Sequence, residues 1–175
     1  AVLVGGAVRD LLLGLTPQDW DLATSARPDE IRALFPDGRA VGAGRATGTV
    51  LIPREGALYE VTAYRAGSLE GDLARRDFTI DAMAATPGGR LIDPLGGRRD
   101  LAHGVLRACG RPEDRLEEDP RRMLRAVRLA AQFNLELDPA LARAIGALAP
   151  RLSAVAPERI GAEFGRLLVT DRPAW

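Results

Sequence analysis

The sequence predicts an α+β fold, a small mixed sheet with helices, followed by a purely helical stretch. Three observations predict it. Short β-rich runs alternate with helical segments through the first hundred residues, and Gly or Pro stands between them. Past Asp100 the apolar spacing becomes helical, over 120–133, 139–148 and 157–168. Between the two styles lies Gly110-Arg111-Pro112, a breaker that divides the chain into 1–110 and 111–175.

Ala1–Val4 reads as a short buried strand closed by Gly5-Gly6, and Ala7–Leu13 as a helix stopped by Gly14. After the turn at Pro17, Asp19-Trp20-Asp21-Leu22 reads as a second strand. Arg27–Phe35 reads as a short helix with Pro28 near its start and Pro36 after its end. Thr47–Ile52 and Ala57–Ala63 are β-rich runs joined by Pro53-Arg54-Glu55-Gly56, a hairpin signal. The pattern of Phe78–Ala85 fits strand and helix equally, and Arg90–Ile92 reads as one more short strand. The chain opens without a methionine on a strand-like run, which predicts a trimmed N-terminus.

Composition narrows the chemistry. Of 175 residues, 46% are hydrophobic, so a packed core is expected and disorder is not. The 24 basic residues are all arginine and are balanced by 24 acids. Arginine presents a rigid fork of donors suited to phosphates and base edges, although a GC-rich genome selects arginine codons as well. Zero net charge argues against one uniform basic surface and leaves room for a local basic groove. The single cysteine, Cys109, allows no intrachain disulfide and fits a reducing cytoplasm. A lone histidine, His103, excludes a multi-histidine zinc site. The apolar opening run carries Arg9 and Asp10, so it predicts neither a signal peptide nor a membrane span.

The chemistry begins at Gly5-Gly6-Ala7-Val8-Arg9-Asp10. A glycine turn entering a helix offers backbone N–H groups and a helix dipole to a phosphate, and Arg9 can add a charge-assisted contact. Asp19 and Asp21, two apart on a strand, share a face. Alone, such a pair is more readily a charged sheet edge. Together with the glycine turn it describes a triphosphate cradle beside a divalent-metal site. Hard carboxylate oxygens suit magnesium, and two such ions can activate a 3′-hydroxyl and neutralise a leaving pyrophosphate. Glu60, in a β-rich run and facing away from Tyr59 and Val61, is the candidate third carboxylate; a solvent-facing strand glutamate is the other reading. Asp119, Arg122, Arg125 and Arg128 recur every three residues as a polar stripe, with Met123, Val127 and Ala130 on another face. A solvated arginine face is the plainer reading of that stripe.

Several long segments resemble, in order, the motifs of the class II tRNA nucleotidyltransferases and bacterial poly(A) polymerases. They are Leu3–Gly14 with Asp19-Trp20-Asp21, then Arg75–Ala84, Leu91–Gly97, Glu118–Arg128, and Pro157–Ile160 with Glu163 and Leu167-Leu168. The resemblance implies a polymerase-beta-like nucleotidyltransferase head (1–110) and a helical neck (111–175). It implies that Asp119 and Arg122 form Watson–Crick-like hydrogen bonds to the incoming base, and that Gly6, Arg9, Arg76, Arg125 and Arg128 help bind the nucleotide. Gly5 belongs to the same phosphate turn. It further implies magnesium as cofactor, the tRNA 3′ end as partner, CTP and possibly ATP as substrates, a cytoplasmic setting, and no membrane.

Two departures stand out. Asp81 replaces the asparagine usual in the second motif, so no binding role is assigned to it. Between Tyr64-Arg65 and Arg75-Arg76 the full CCA-adding members carry a longer flexible loop, whereas this chain has only residues 66–74. CC-adding members resemble this chain in lacking that loop, so CC addition is the favoured expectation. Full CCA addition, poly(A) synthesis and an inactive nucleotide- or RNA-binding module are the alternatives. Family members continue into a helical body and tail that grip tRNA; the resemblance leads us to expect that these are missing after Trp175, so that affinity for tRNA is weak and strongly salt-dependent.

Overall fold

The computed structural model describes residues 1–41 and 48–168. The chain forms two compact units, Ala1–Arg76 with Asp81–Leu95, and Asp77–Ile80 with Gly96–Trp175.

The first unit is built on a seven-stranded mixed sheet. Its strands are β1 (Val2–Val4), β2 (Trp20–Thr24), β3 (Arg39–Val41), β4 (Thr49–Arg54), β5 (Ala57–Ala63), β6 (Ala84–Ala85) and β7 (Leu91–Ile92). They lie in the order β3-β4-β5-β2-β1-β6-β7. All neighbours are antiparallel except β2 and β5, which run parallel. The expected hairpin is β4–β5, with Glu55 and Gly56 both at positive φ in its turn. Thr47, expected to open β4, lies outside the described residues. Helices α1 (Gly6–Leu12), α2 (Pro28–Leu34) and α3 (Leu69–Ala74) complete the unit. Ile31 of α2 packs with Val50, Ile52 and Val61 into an apolar cluster flanked by Leu22, Phe35 and Tyr59. The sequence pattern missed α3, a single six-residue turn region capped by Ser68, whose side chain accepts the Gly71 N–H at 3.1 Å.

The second unit is mainly helical: α4 (Gly97–Ala102), α5 (Pro112–Glu118), α6 (Arg121–Phe133), α7 (Pro139–Leu148) and α8 (Pro157–Leu168). It is not wholly so. β8 (Val105–Leu106) and β9 (Glu136–Leu137) pair in parallel, which corrects the all-helical expectation. Two-residue strands carry too few alternations for sequence periodicity to register. The ambiguous stretch 78–85 resolves into a 3₁₀ turn at Thr79–Asp81 and the strand β6. Phe78, Ile80, Leu106, Leu116, Met123, Ala126, Leu129 and Leu141 form the core of this unit.

Within α6 the buried face is Met123, Ala126 and Leu129, with Ala130 packed at its edge. Val127, expected inside, is exposed. At 100° per residue it lies about a quarter-turn from the centre of the 123–126–129–130 stripe, past its Met123 edge.

Leu106 is fully buried in the core of the second unit, and truncating it removes apolar contacts there. Leu106→Ala should lower unfolding stability by about 2–5 kcal/mol, read by chemical denaturation. A loss below about 1 kcal/mol would mean that the site collapses freely.

Candidate active site

In the first unit, β1 runs straight into the glycine turn. Gly5 sits at φ +74°, a conformation that side-chain-bearing residues rarely adopt. A Cβ there would come within 2.7 Å of Arg76 Nη1 and 3.5 Å of Asp21 Oδ2. The missing side chain therefore lets a guanidinium and a carboxylate close on the turn from separate segments. The Gly5 N–H donates to the Met83 carbonyl at 3.2 Å, fastening the turn beside β6. Its carbonyl accepts from the Val8 and Arg9 N–H groups and so starts α1. The Gly6 and Ala7 N–H groups, which open α1, have no acceptor within the helix.

The carboxylates gather on the parallel pair β2–β5. Asp21 stands in register with Glu60, and Trp20 with Tyr59. Alternation along the strands puts the two acids on one face and the two aromatics on the other. The rings lie 6.1 Å apart in a tilted arrangement. Burial pushes the Glu60 carboxyl above its usual range, and the negative charge of Asp21 adds to the shift. Arg65 opposes it, while Asp19 adds a smaller upward push. Asp19 itself lies in a bend just before β2, because the strand begins at Trp20 and not at Asp19. Among the described residues, no three His, Cys, Asp or Glu side chains are gathered closely enough to hold an ion together. Asp21 and Glu60 share one face, and Asp19, off the strand, lies near enough for its charge to be felt at Glu60.

Arg9 is brought to the turn but is only 7% exposed. Its Nε and Nη2 donate to Asp10 Oδ1 at 3.0 and 2.7 Å, and Nη1 pairs with Asp81. Its guanidinium packs against Gly6, where a Cβ would meet Nη2 at 3.2 Å. The buried Asp81 thus serves as Arg9's counter-ion, which accounts for a carboxylate at that position.

The second unit holds the arginine stripe. Asp119 does not lie on α6. It is extended (φ −150°, ψ 101°) between α5 and Pro120, as sterics dictate for a residue before proline. Its Oδ1 accepts the Arg121 N–H at 3.1 Å, and both oxygens are gripped by the Arg121 side chain at 2.6–3.1 Å. The hydrogen bond from Arg121 holds the Asp119 carboxyl below its usual range, against the opposing effect of partial burial. Arg122 Nε lies 2.6 Å from Asp77 Oδ1, and its Nη1 donates to Glu118 and the Arg115 carbonyl. Arg125 Nε stands 3.3 Å from Asp77 Oδ2. Arg128 Nε donates to Glu163 of α8 at 2.9 Å, and Nη1 to Gln132.

Sequence reasoning overlooked the acids that organise these arginines: Asp77 for Arg122 and Arg125, Glu163 for Arg128, Asp72 for Arg76, and Asp81 for Arg9. The signal was available only in part. Asp77 follows the Arg75-Arg76 pair directly, and Asp72 stands four residues before Arg76, the spacing of a helical ion pair.

Residues 1–107 match the poly A polymerase head domain, and 134–175 match a probable RNA- and SrmB-binding site of polymerase A. The chain belongs to the poly A polymerase head-domain family. The CC-adding tRNA nucleotidyltransferase of Halalkalibacterium halodurans is 44% identical over 169 residues, covering 97% of this chain and 44% of that relative. The CCA-adding enzyme of Bacillus subtilis is 42% identical over 184 residues, covering 96% of this chain and 46% of that relative. Among solved structures, the Bacillus stearothermophilus CCA-adding enzyme in complex with CTP superimposes with a TM-score of 0.90 at 42% identity, over 95% of this chain and 44% of that one. The chain spans about half the length of the curated relatives it matches. No helix among the described residues is long and apolar enough to cross a membrane.

The raised Glu60 carboxyl has a consequence for stability. The folded chain holds this proton more tightly than the unfolded one does. Stability is therefore lost as pH rises from about the ordinary value of 4.5 through the higher folded value. Glu60→Gln should raise the melting temperature at pH 7.5 by ~1–2 °C in metal-chelated buffer, a size set by the group's partial exposure. The difference should vanish near pH 4, and an equal difference at both pH values would point to packing instead.

Proposed function

We propose that this chain is the catalytic part of a template-independent tRNA nucleotidyltransferase that adds CMP from CTP to the tRNA 3′ end. The observation that carries the reading is the convergence of Gly5, Asp21 and Arg76 on one turn, with Glu60 in register beside Asp21. A glycine turn at positive φ against a carboxylate is what a triphosphate and its cation require together.

The first unit supplies the phosphate chemistry. Backbone N–H groups at the start of α1 and the Arg76 guanidinium bind the triphosphate, while the buried Arg9 keeps the turn in shape. Asp19 and Asp21 are hard oxygen donors suited to magnesium, and Glu60 stands in register beside Asp21. When bound, magnesium neutralises phosphate charge and favours loss of pyrophosphate by two-metal phosphoryl transfer. Glu60 stands ready to accept a hydrogen bond from the attacking 3′-hydroxyl. The second unit supplies the base reading: Asp119, ionised and a pure acceptor, takes the exocyclic amine of cytosine, and Arg122 donates to the neighbouring acceptors. Arg125 and Arg128 hold the helix that carries them and add positive charge.

Restriction to CC addition is supported by the length of the connection after β5. The alignment with the CC-adding relative needs no more positions than the residues of this chain that it covers. That with the B. subtilis CCA-adding relative takes 184 positions for about 168 residues here, so the relative carries about 16 more. The segment 66–74 is where the longer loop of CCA-adding members is expected. Full CCA addition is the competing reading, favoured by the number of similar relatives that bear that name.

Incubation with a tRNA lacking its CCA end, magnesium and CTP, ATP or both, resolved at single-nucleotide length, tests the reading. Arrest after two C residues with ATP present is expected. A terminal A would establish full CCA addition, and A-tailing without CTP would establish poly(A) synthesis. Asp21→Ala should lower incorporation by at least about 10³-fold with the fold intact, as expected for losing a metal carboxylate. Asp119→Ala should cut the preference for CTP over UTP by about 10–100-fold, the worth of one base-edge contact. Unchanged selectivity would remove Asp119 from base reading.

A further inference from the structure

Asp72 is among the most buried charged side chains of the first unit, 5% exposed, and no step of the chemistry above uses it. It lies on α3, one helical turn before Arg76, and each of its oxygens has its own task. Oδ1 accepts the backbone N–H of Arg65 at 3.2 Å, just past the end of β5. Oδ2 accepts from Arg76 Nη2 at 3.4 Å. The other terminal nitrogen of that guanidinium, Nη1, is the atom that closes on Gly5, on the same turn as Asp21 Oδ2. We propose that Asp72 is a positioning residue: it fixes the Arg76 guanidinium over the Gly5 turn so that Nη1 meets the triphosphate there.

The geometry supports this role in three ways. Arginine has four side-chain torsions and loses much rotamer freedom when aimed at one point. A carboxylate gripping one terminal nitrogen from behind leaves the far edge of the fork free to donate forward. Asp72 is itself immobilised, because its second oxygen is pinned by a backbone N–H and its helix is capped by Ser68. The same contacts tie the connection after β5 to the phosphate turn. Tyr64 marks that end: its N–H donates to the Thr24 carbonyl at 2.9 Å, and burial, then Asp72, pushes its hydroxyl pKa upward.

The inference rests on the reading of the Gly5 turn as the triphosphate site. It is tested in the full-length protein by steady-state CMP incorporation into tRNA lacking its CCA end, with CTP varied. Asp72→Asn keeps the shape and the bond to the Arg65 N–H while discarding the charge. It should raise KM for CTP about tenfold and change kcat less than about threefold, the pattern of lost ground-state binding. Arg76→Ala should raise KM at least as much. The Asp72→Asn/Arg76→Ala double variant should be no worse than Arg76→Ala alone, because Asp72 acts only through that guanidinium. Asp72→Glu should recover part of the loss, and melting temperatures of all variants report whether the fold is intact. Additive losses in the double variant, or an unchanged KM in a folded Asp72→Asn protein, would overturn the proposal. Asp21→Ala is assayed in parallel: if it is fully active, the triphosphate reading fails and this inference with it. If it is inactive while Asp72 and Arg76 behave independently, only the positioning role fails.

Discussion

The parallel pairing of β2 with β5 is the constraint on which the first unit depends. It is the only parallel junction in a sheet otherwise antiparallel among the described strands, and it sets Asp21 beside Glu60. The register is enforced from the opposite face, where Trp20 and Tyr59 stand in register and Val61 enters the apolar cluster. A slip of one residue would turn the aromatics outward and the acids inward. The charge repulsion of three neighbouring acids is thus held in place by apolar packing behind it. That is why the unit tolerates a glutamate whose proton affinity is raised.

The glycine turn adds a second constraint, this one steric. Gly5 is where two segments distant in sequence, around Asp21 and Arg76, converge on one backbone position. Around it the arginines are arranged by counter-ions: Asp10 and Asp81 for Arg9, and Asp72 for Arg76. In the second unit Asp77 and Glu163 do the same for Arg122, Arg125 and Arg128. Such pairing is possible because 24 acids balance the 24 arginines, leaving the chain no net charge. It also turns arginine from a mobile surface cation into a fixed donor, which suits its planar fork.

Much of this was legible in the sequence. The strand-turn-helix at Gly5-Gly6, the β4–β5 hairpin and the helices over 139–148 and 157–168 follow from breaker residues and apolar period alone. So did Glu60's sidedness, since alternation in Leu58–Val61 fixes it. What escaped detection was either short or relational. α3 and the β8–β9 pair span too few residues to show a period. The acids Asp72, Asp77, Asp81 and Glu163 look like ordinary surface charges until a partner comes into contact. Asp119 was read as helical because its three-residue spacing to Arg122 continues the stripe, whereas the proline that follows it takes precedence over the spacing.

That proline has a consequence of its own. The extended conformation of Asp119 is a preference of any residue ahead of a proline, present before the chain folds. The backbone at this position therefore gives up little conformational freedom on folding, and its orientation draws little on the packing of the surrounding helices. In the proposed site, a residue whose orientation is set by covalent sterics, and not by a tight core, can keep its aim while the helices around it breathe.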